Sequence, residues 1–159
     1  FIHAQDLINR KMRMDGGKPF RAWMATIKQF IDENAKTEGF EKEMAKLAKA
    51  YQCMEEVLET YNGWYNQMET KRQLIPLYAV KALFVCAQVQ VAECLMSQAL
   101  IAKKNLAGAD QTDKIYYEGK IAGARYFVNN VLPNVYLTTE LIKGEDDTVL
   151  TCLEESLVV

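Results

Sequence analysis

The stretch FEKEMAKLAKAYQCMEEVLETYNGWYNQM, residues 40–68, decides the fold, because its large apolar side chains recur at alternating steps of four and three residues. The series consists of Phe40, Met44, Leu47, Tyr51, Met54, Leu58, Tyr61, Tyr65 and Met68. This spacing is that of a heptad seam, which places the series along one face of a helix. Charged residues fill the other faces, and we assign them to solvent. The stretch therefore predicts a long helix that packs against other helices.

Helical patterns also flank the seam. Pro19 is favourable in a first helical turn and begins a helix that is predicted to run to about Lys36. A further helix, from near Leu74 to about Asn105, is apolar nearly all round. One of its stripes consists of Leu77, Val80, Phe84, Ala87, Val91, Cys94 and Ile101. Polar residues interrupt the helix too often for a membrane span, so we predict no transmembrane segment. We expect its second apolar side to be covered by a domain or subunit outside this chain.

A last long helix is predicted to start at a cap supplied by Asp110 or Thr112 and to end at Gly144. Pro133 lies inside this pattern and should kink the helix, because proline removes one backbone hydrogen bond and clashes with the preceding turn. The small residues Gly119, Ala122, Gly123 and Ala124 predict the close approach of a neighbouring helix.

The remaining tail predicts a short amphipathic helix that docks on the others through Val149, Leu150, Leu153 and Leu157. No segment alternates apolar and polar residues with the period of two that is typical of strands. The fold class is therefore predicted to be all-α, an up-and-down antiparallel four-helix bundle with a short C-terminal helix.

Composition excludes several classes of function. Half of the 159 residues are apolar, as in a globular domain with one core, and the net charge is -2 with both signs mixed along the chain. This pattern favours neither a nucleic-acid partner nor an anionic membrane surface. No apolar run typical of a signal peptide follows the first basic residues. Cys53, Cys86, Cys94 and Cys152 lack metal-ligand spacing, and we interpret them as reduced core residues of a cytoplasmic protein.

Histidine-dependent chemistry has little support, because His3 is the only histidine and lies outside the predicted bundle. A di-iron bundle site needs Glu-x-x-His pairs, and nucleophilic triads need an imidazole beside the nucleophile. The sequence also lacks a glycine-rich phosphate loop. We therefore predict no catalytic residue and no metal ligand in this chain, and its cofactor-binding residues are unknown.

Two further groups of residues have competing interpretations. An aromatic set is assigned to core packing in preference to the lining of a flat ligand site. It consists of Tyr78, Phe84, Tyr116, Tyr117, Tyr126, Phe127 and Tyr136. Arg125 is the one charge among small and aromatic residues, and either an ion pair or a ligand phosphate would explain it. The ion pair is the favoured alternative.

Two segments resemble the long-chain variety of the acyl-CoA dehydrogenase family. Residues 2–12, IHAQDLINRKM, resemble the family's IQALDLLGRKL segment. Residues 116–127, YYEGKIAGARYF, followed by VLP at 131–133, are similar to the family's YYxGKLATARFF and LLP pattern. The glycine pair before Phe20 and the residues Leu-Glu-Glu at 153–155 match in kind.

The resemblance implies a C-terminal domain of an FAD-dependent enzyme that oxidises acyl-CoA to trans-2-enoyl-CoA. Residues 1–17 would be the tail end of the preceding dehydrogenase domain and a linker, and residues 18–159 a helical bundle domain. The family's catalytic glutamate comes from a Tyr-Glu-Gly-Thr motif, which we expect just before Phe1 in a longer polypeptide. Glu118 imitates this motif but is rejected as the base, because Lys120 replaces the threonine and the triplet lies within a helix.

The implied partners are the catalytic core of the same chain or a partner subunit, with acyl-CoA and electron-transfer flavoprotein as partners of the longer enzyme. A homo-oligomer is also possible within this family, and no FAD is expected on this chain alone. His3 and Phe1 depart from the residues that the family commonly has near the flavin. The alternative is an independent helical scaffold or adaptor, whose seam at 40–68 would bind a partner helix.

Overall fold

The computed structural model describes residues 1–153 and Ser156, and the regular structure of this part is entirely helical. The predicted all-α class is therefore confirmed. The helices are α1 (Ile2–Asp6), α2 (Lys18–Asn34), α3 (Glu41–Asn66), α4 (Met68–Lys71), α5 (Leu74–Asn105), α6 (Gln111–Asn130), α7 (Asn134–Lys143) and α8 (Thr148–Thr151). A π-helical segment, Leu7–Lys11, and a 3-10 turn, Met14–Gly17, connect α1 to α2.

Helix α3 carries the predicted seam. Its residues Met44, Leu47, Met54 and Tyr61 are buried, as the alternation of four and three residues predicts. The seam ends earlier than expected. Met68 lies beyond α3, in the short α4, and is 43% exposed.

Helix α5 is the central element and has the predicted bounds, Leu74–Asn105. It contacts α1, α2, α3, α6 and α7. Its buried side is rich in small residues such as Ala79, Ala82, Ala92 and Ala99, which are fully buried. Small side chains allow neighbouring helices to approach closely, and this explains how one helix contacts so many others.

The stretch Leu74–Gly108 is long and apolar enough to cross a membrane when only length and composition are considered, with a mean hydropathy of 1.6. Of its most apolar window, 44% is buried inside the chain. A core helix can have the same length and composition. The predicted absence of a transmembrane segment stays a prediction.

The last predicted long helix is two helices, α6 and α7, separated by a turn at Val131–Pro133. We expected a kink at Pro133, whereas the helix ends and restarts there. Proline has no N–H to donate, and Leu132 N donates instead to Phe127 O at 2.9 Å, one residue further back than in an α-helix. Asp110 is the cap, since its Oδ1 accepts a hydrogen bond from Asp113 N at 2.9 Å.

The leading segment is part of the same core. Ala4, Ile8 and Met12 are buried in the cluster that also contains the seam of α3. Tyr65 Oη donates a hydrogen bond to Ile8 O at 2.9 Å. The packing therefore continues across residue 17, and the proposed domain division at that point stays a prediction.

The end of the described chain differs from the expected docked helix. α8 has one turn, and Val149, Leu150 and Leu153 are exposed, Leu153 at 75%. The prediction that these three side chains dock on the bundle is wrong, because a single turn offers no apolar face long enough to bury. Leu157, with Glu154 and Glu155 of the family-like Leu-Glu-Glu sequence, lies outside the described residues.

Candidate docking surface

His3 and Glu118 are the two residues that the sequence analysis considered for catalysis and did not assign a catalytic role. His3 is exposed on α1, and Glu118 is exposed in the middle of α6. Within residues 1–153 and Ser156, no cluster of three or more His, Cys, Asp or Glu residues could hold a metal ion.

The side chain of Arg125 contacts three residues of this chain. Its Nη2 donates a hydrogen bond to Gly39 O at 2.7 Å, and its Nε lies 3.7 Å from Glu43 Oε1. The guanidinium also lies over the ring of Phe40, 5.1 Å from the centroid. These contacts join α6 to the start of α3, in agreement with the ion-pair alternative.

The cysteines are free, but they are not all core residues. Cys86 is buried, and burial raises the pKa of its thiol to about 12. Cys53 and Cys152 are half-buried. Cys94 is exposed, which corrects the sequence-based assignment of all four to the core. The apolar pattern around Cys94 belongs to a side of α5 that residues 1–153 leave uncovered at this position.

Cys94 is therefore expected to react with a thiol reagent at about pH 8 at least about a hundredfold faster than Cys86, because the thiolate is the reactive form and burial also blocks access. The course of 5,5'-dithiobis(2-nitrobenzoate) labelling measures this difference. In a background with Cys53→Ser and Cys152→Ser, which removes the two half-buried thiols, Cys94→Ser should remove the fast phase. A fast phase that persists in this variant would contradict the assignment.

The uncovered side of α5 is the apolar stripe that the sequence predicted. Val80, Phe84, Val91 and Ile101 are exposed, Phe84 at 56%. They recur at heptad-like spacing, and no charged residue lies in the stripe. The structure thus leaves one apolar side of α5 open, as expected for a side covered from outside this chain.

Several aromatic residues that the sequence assigned to the core are exposed. Phe84, Tyr116 and Tyr126 are exposed, which corrects their sequence-based assignment. Tyr78 is buried, as predicted. Tyr117, Phe127 and Tyr136 are half-buried. Helical spacing predicts which residues share one face of a helix. It does not predict which face is buried.

Helix α6 extends the exposed region next to α5. Lys120 Nζ donates to Gln98 Oε1 at 3.2 Å, and both residues line a groove with Ile101 and Tyr116. Gly119 and Gly123 face open space, since a Cβ built on either would meet nothing within 4 Å in the described part of the chain. The predicted neighbour of these glycines is thus absent from the described residues.

On its other flank, the stripe borders an apolar cleft of about 460 Å³. Phe20 and Trp23 of α2 and Leu83 and Ala87 of α5 line this cleft. We name one set of exposed residues the α5–α6 face. It consists of Val80, Phe84, Val91, Cys94, Ile101 and Tyr116. A group of exposed apolar side chains of this kind is typical of an interaction site.

Comparison with known proteins shows the family of this chain. The family model described as acetyl-CoA dehydrogenase C-terminal like matches residues 23–152. Two butyryl-CoA dehydrogenases of Syntrophomonas wolfei are 33% and 35% identical over 160 residues, which cover 99% of this chain and 26% of each relative. A broad-specificity linear acyl-CoA dehydrogenase of Mycobacterium tuberculosis is 30% identical over 153 residues, which cover 94% of this chain and 25% of that protein. The chain spans about a quarter of the length of these relatives. It therefore belongs to the family of acyl-CoA dehydrogenase C-terminal domains.

Proposed function

We propose that this chain is a non-catalytic domain of a longer, cytoplasmic acyl-CoA dehydrogenase and that the α5–α6 face packs on the flavoprotein core of that enzyme. The exposed apolar stripe of α5 carries the proposal, because an exposed helix stripe without charges is typical of a surface that binds another apolar surface. The family match indicates what covers the α5–α6 face. The relatives are about four times as long as this chain, and the rest of their length would contain the flavoprotein core. The four free thiols support a reducing compartment.

In the proposed longer enzyme, FAD would take a hydride from the β-carbon of the acyl-CoA while a glutamate outside this chain takes an α-proton, which leaves a trans-2-enoyl-CoA. Electron-transfer flavoprotein would accept the electrons. We propose that FAD does not bind to this chain alone. Phe1, Ile2 and His3, in the flavin-side segment of the family resemblance, are exposed at the edge of the molecule. We assign no catalytic step to this chain.

We also propose that the long helices run up and down as an antiparallel bundle, with α6 and α7 as two parts of its last member. Contacts at both ends of α3 support this arrangement. Tyr61 Oη donates to Ile75 O at 3.3 Å, and Lys103 Nζ donates to Glu38 O. The start of α3 thus lies by the end of α5, and the end of α3 by its start.

The structure does not support the alternative function, an independent scaffold or adaptor that binds a partner helix. It required the seam at 40–68 to be available to a partner helix, whereas Met44, Leu47 and Met54 are buried in the core of this chain. The seam is the inner face of α3. It does not offer a helix-binding groove.

The coding sequence before Phe1 tests the proposed function first. We expect a flavoprotein core that ends in a Tyr-Glu-Gly-Thr motif, and an unrelated domain there would contradict the proposal. The purified 159-residue chain, mixed with FAD and butyryl-CoA, should show no dye reduction. In the longer protein, labelling of Cys94 should be at least about tenfold slower than in the isolated chain, because the core would cover it. Equal rates would contradict docking through the α5–α6 face.

A further inference from the structure

A polar cleft of about 410 Å³ lies between the turn Met14–Gly17, the start of α2 and the C-terminal turns of α3. Arg13 and Arg21 line it from one side, and Asn62 and Asn66 of α3 line it from the other. These residues lie outside the α5–α6 face.

Both arginines are positioned by groups other than carboxylates. Arg21 Nη2 donates a hydrogen bond to Gly16 O at 2.6 Å. The Arg13 guanidinium lies over the ring of Tyr65, 4.3 Å from the centroid. In the described part of the chain, neither guanidinium has a carboxylate oxygen within 4.0 Å. The cleft thus holds two positive charges without an ion-pair partner among the described residues.

The backbone of the turn is shaped to hold Arg21. Asp15, Gly16 and Gly17 have positive φ angles of 47°, 63° and 79°. A Cβ at Gly17 would lie 2.8 Å from Arg21 Nη1 and 2.9 Å from Met12 O, so only glycine leaves room for the guanidinium. Helix α2 begins directly after this turn without a side-chain cap, and the positive end of its dipole adds to the potential in the cleft.

The opposite wall supplies neutral donors. Asn62 and Asn66 lie one turn apart on α3, and neither side-chain amide has a hydrogen-bond partner among the residues that the structure describes. Two acidic side chains nearby, Asp15 and Glu59, do not line this cleft. Asp15 Oδ2 lies 3.5 Å from Lys18 Nζ, and Glu59 lines a neighbouring groove on the other side of Arg21.

We propose that this cleft binds the phosphate or pyrophosphate group of a small molecule. Arginine presents a planar fork of N–H donors that matches phosphate oxygens, and two such forks facing two amides form a set of donors with a net positive charge. An apolar ligand would leave these donors without partners, whereas a phosphate satisfies them. The proposal does not depend on the activity of the longer enzyme.

Glycine-selective ¹⁵N labelling tests the proposal, because the chain has only 8 glycines. The labelled chain is titrated with inorganic pyrophosphate, and with orthophosphate in a second arm, while sodium chloride keeps the ionic strength constant. We expect saturable shifts of the Gly16 and Gly17 amide signals in at least one arm. The signals of Gly119 and Gly123 on α6 should stay in place. The absence of saturable shifts up to about 10 mM in both arms, or equal shifts at all glycines, would overturn the proposal.

Arginine variants show whether the guanidiniums form the site. Arg13→Gln and Arg21→Gln should each weaken pyrophosphate binding by about tenfold, the loss expected for one charge-assisted hydrogen bond. Arg21→Lys keeps the charge without the fork and should bind with intermediate affinity. Arg72→Gln, which removes an exposed arginine that does not line the cleft, is the matched control. Unchanged affinity in the double Gln variant, or sulfate binding as tightly as pyrophosphate, would contradict a phosphate site.

Discussion

Replacing Trp64 with alanine is expected to lower the free energy of unfolding of this chain by about 3–5 kcal/mol. Trp64 is 1% exposed, and its ring lies 4.7 Å from that of Tyr61 and 5.7 Å from that of Tyr78. Its Nε1 also donates a hydrogen bond to Glu145 Oε1 at 2.6 Å. The alanine variant loses the packing of a large ring and leaves a cavity where α3, α5 and the turn after α7 meet.

Urea unfolding followed by far-UV circular dichroism measures this change without relying on the removed fluorophore. Trp64→Phe is the control that keeps an aromatic ring but loses the donor to Glu145, and it should cost less than Trp64→Ala. Trp23→Ala, at a half-buried position beside the apolar cleft, should also cost less, because its ring already contacts solvent on one side. A loss below about 1 kcal/mol for Trp64→Ala would contradict its place at the centre of the core.

The double variant Phe84→Glu with Val91→Glu should separate the stability of this chain from its docking. Both side chains are exposed, so each change should alter the free energy of unfolding of the isolated chain by no more than about 0.5 kcal/mol. Docking on the proposed flavoprotein core should weaken at least about a hundredfold. Two apolar contacts would be lost, and two carboxylates would be buried without partners.

Titration calorimetry measures this effect, with the flavoprotein core and this chain produced as two polypeptides. Ala45→Glu, an exposed change on α3 outside the α5–α6 face, is the matched control and should bind like the unaltered chain. Docking of the double variant with unchanged affinity would exclude the α5–α6 face as the interface. The urea midpoint of the isolated double variant distinguishes a docking effect from a folding effect.

Features that depend on near neighbours in the chain were predicted well. The bounds Leu74–Asn105 of α5, the cap at Asp110 and the inner face of α3 agree with the structure. Helix propensity, caps and the repeat of apolar residues act over one or two turns, so their signals are contained in short stretches.

Features that depend on distant neighbours were predicted poorly. Arg13 and Arg21 come together with Asn62 and Asn66 only because the turn before α2 folds against the end of α3. No sequence signal marked this cleft, since its residues are common surface types separated by about forty positions. The exposure of Cys94 was missed for a related reason, because an apolar neighbourhood in the sequence does not reveal which side of a helix is covered.

The sequence by itself determined an all-helical chain with a heptad seam on α3 and an apolar central helix α5. Only the tertiary structure decided that the side of α5 with Phe84 lies open while the side with Ala82 is buried. The physical reason is that periodicity specifies which residues share a face, whereas burial depends on which helices reach that face. On α5 several helices cover one side, and the described residues cover the other only in part.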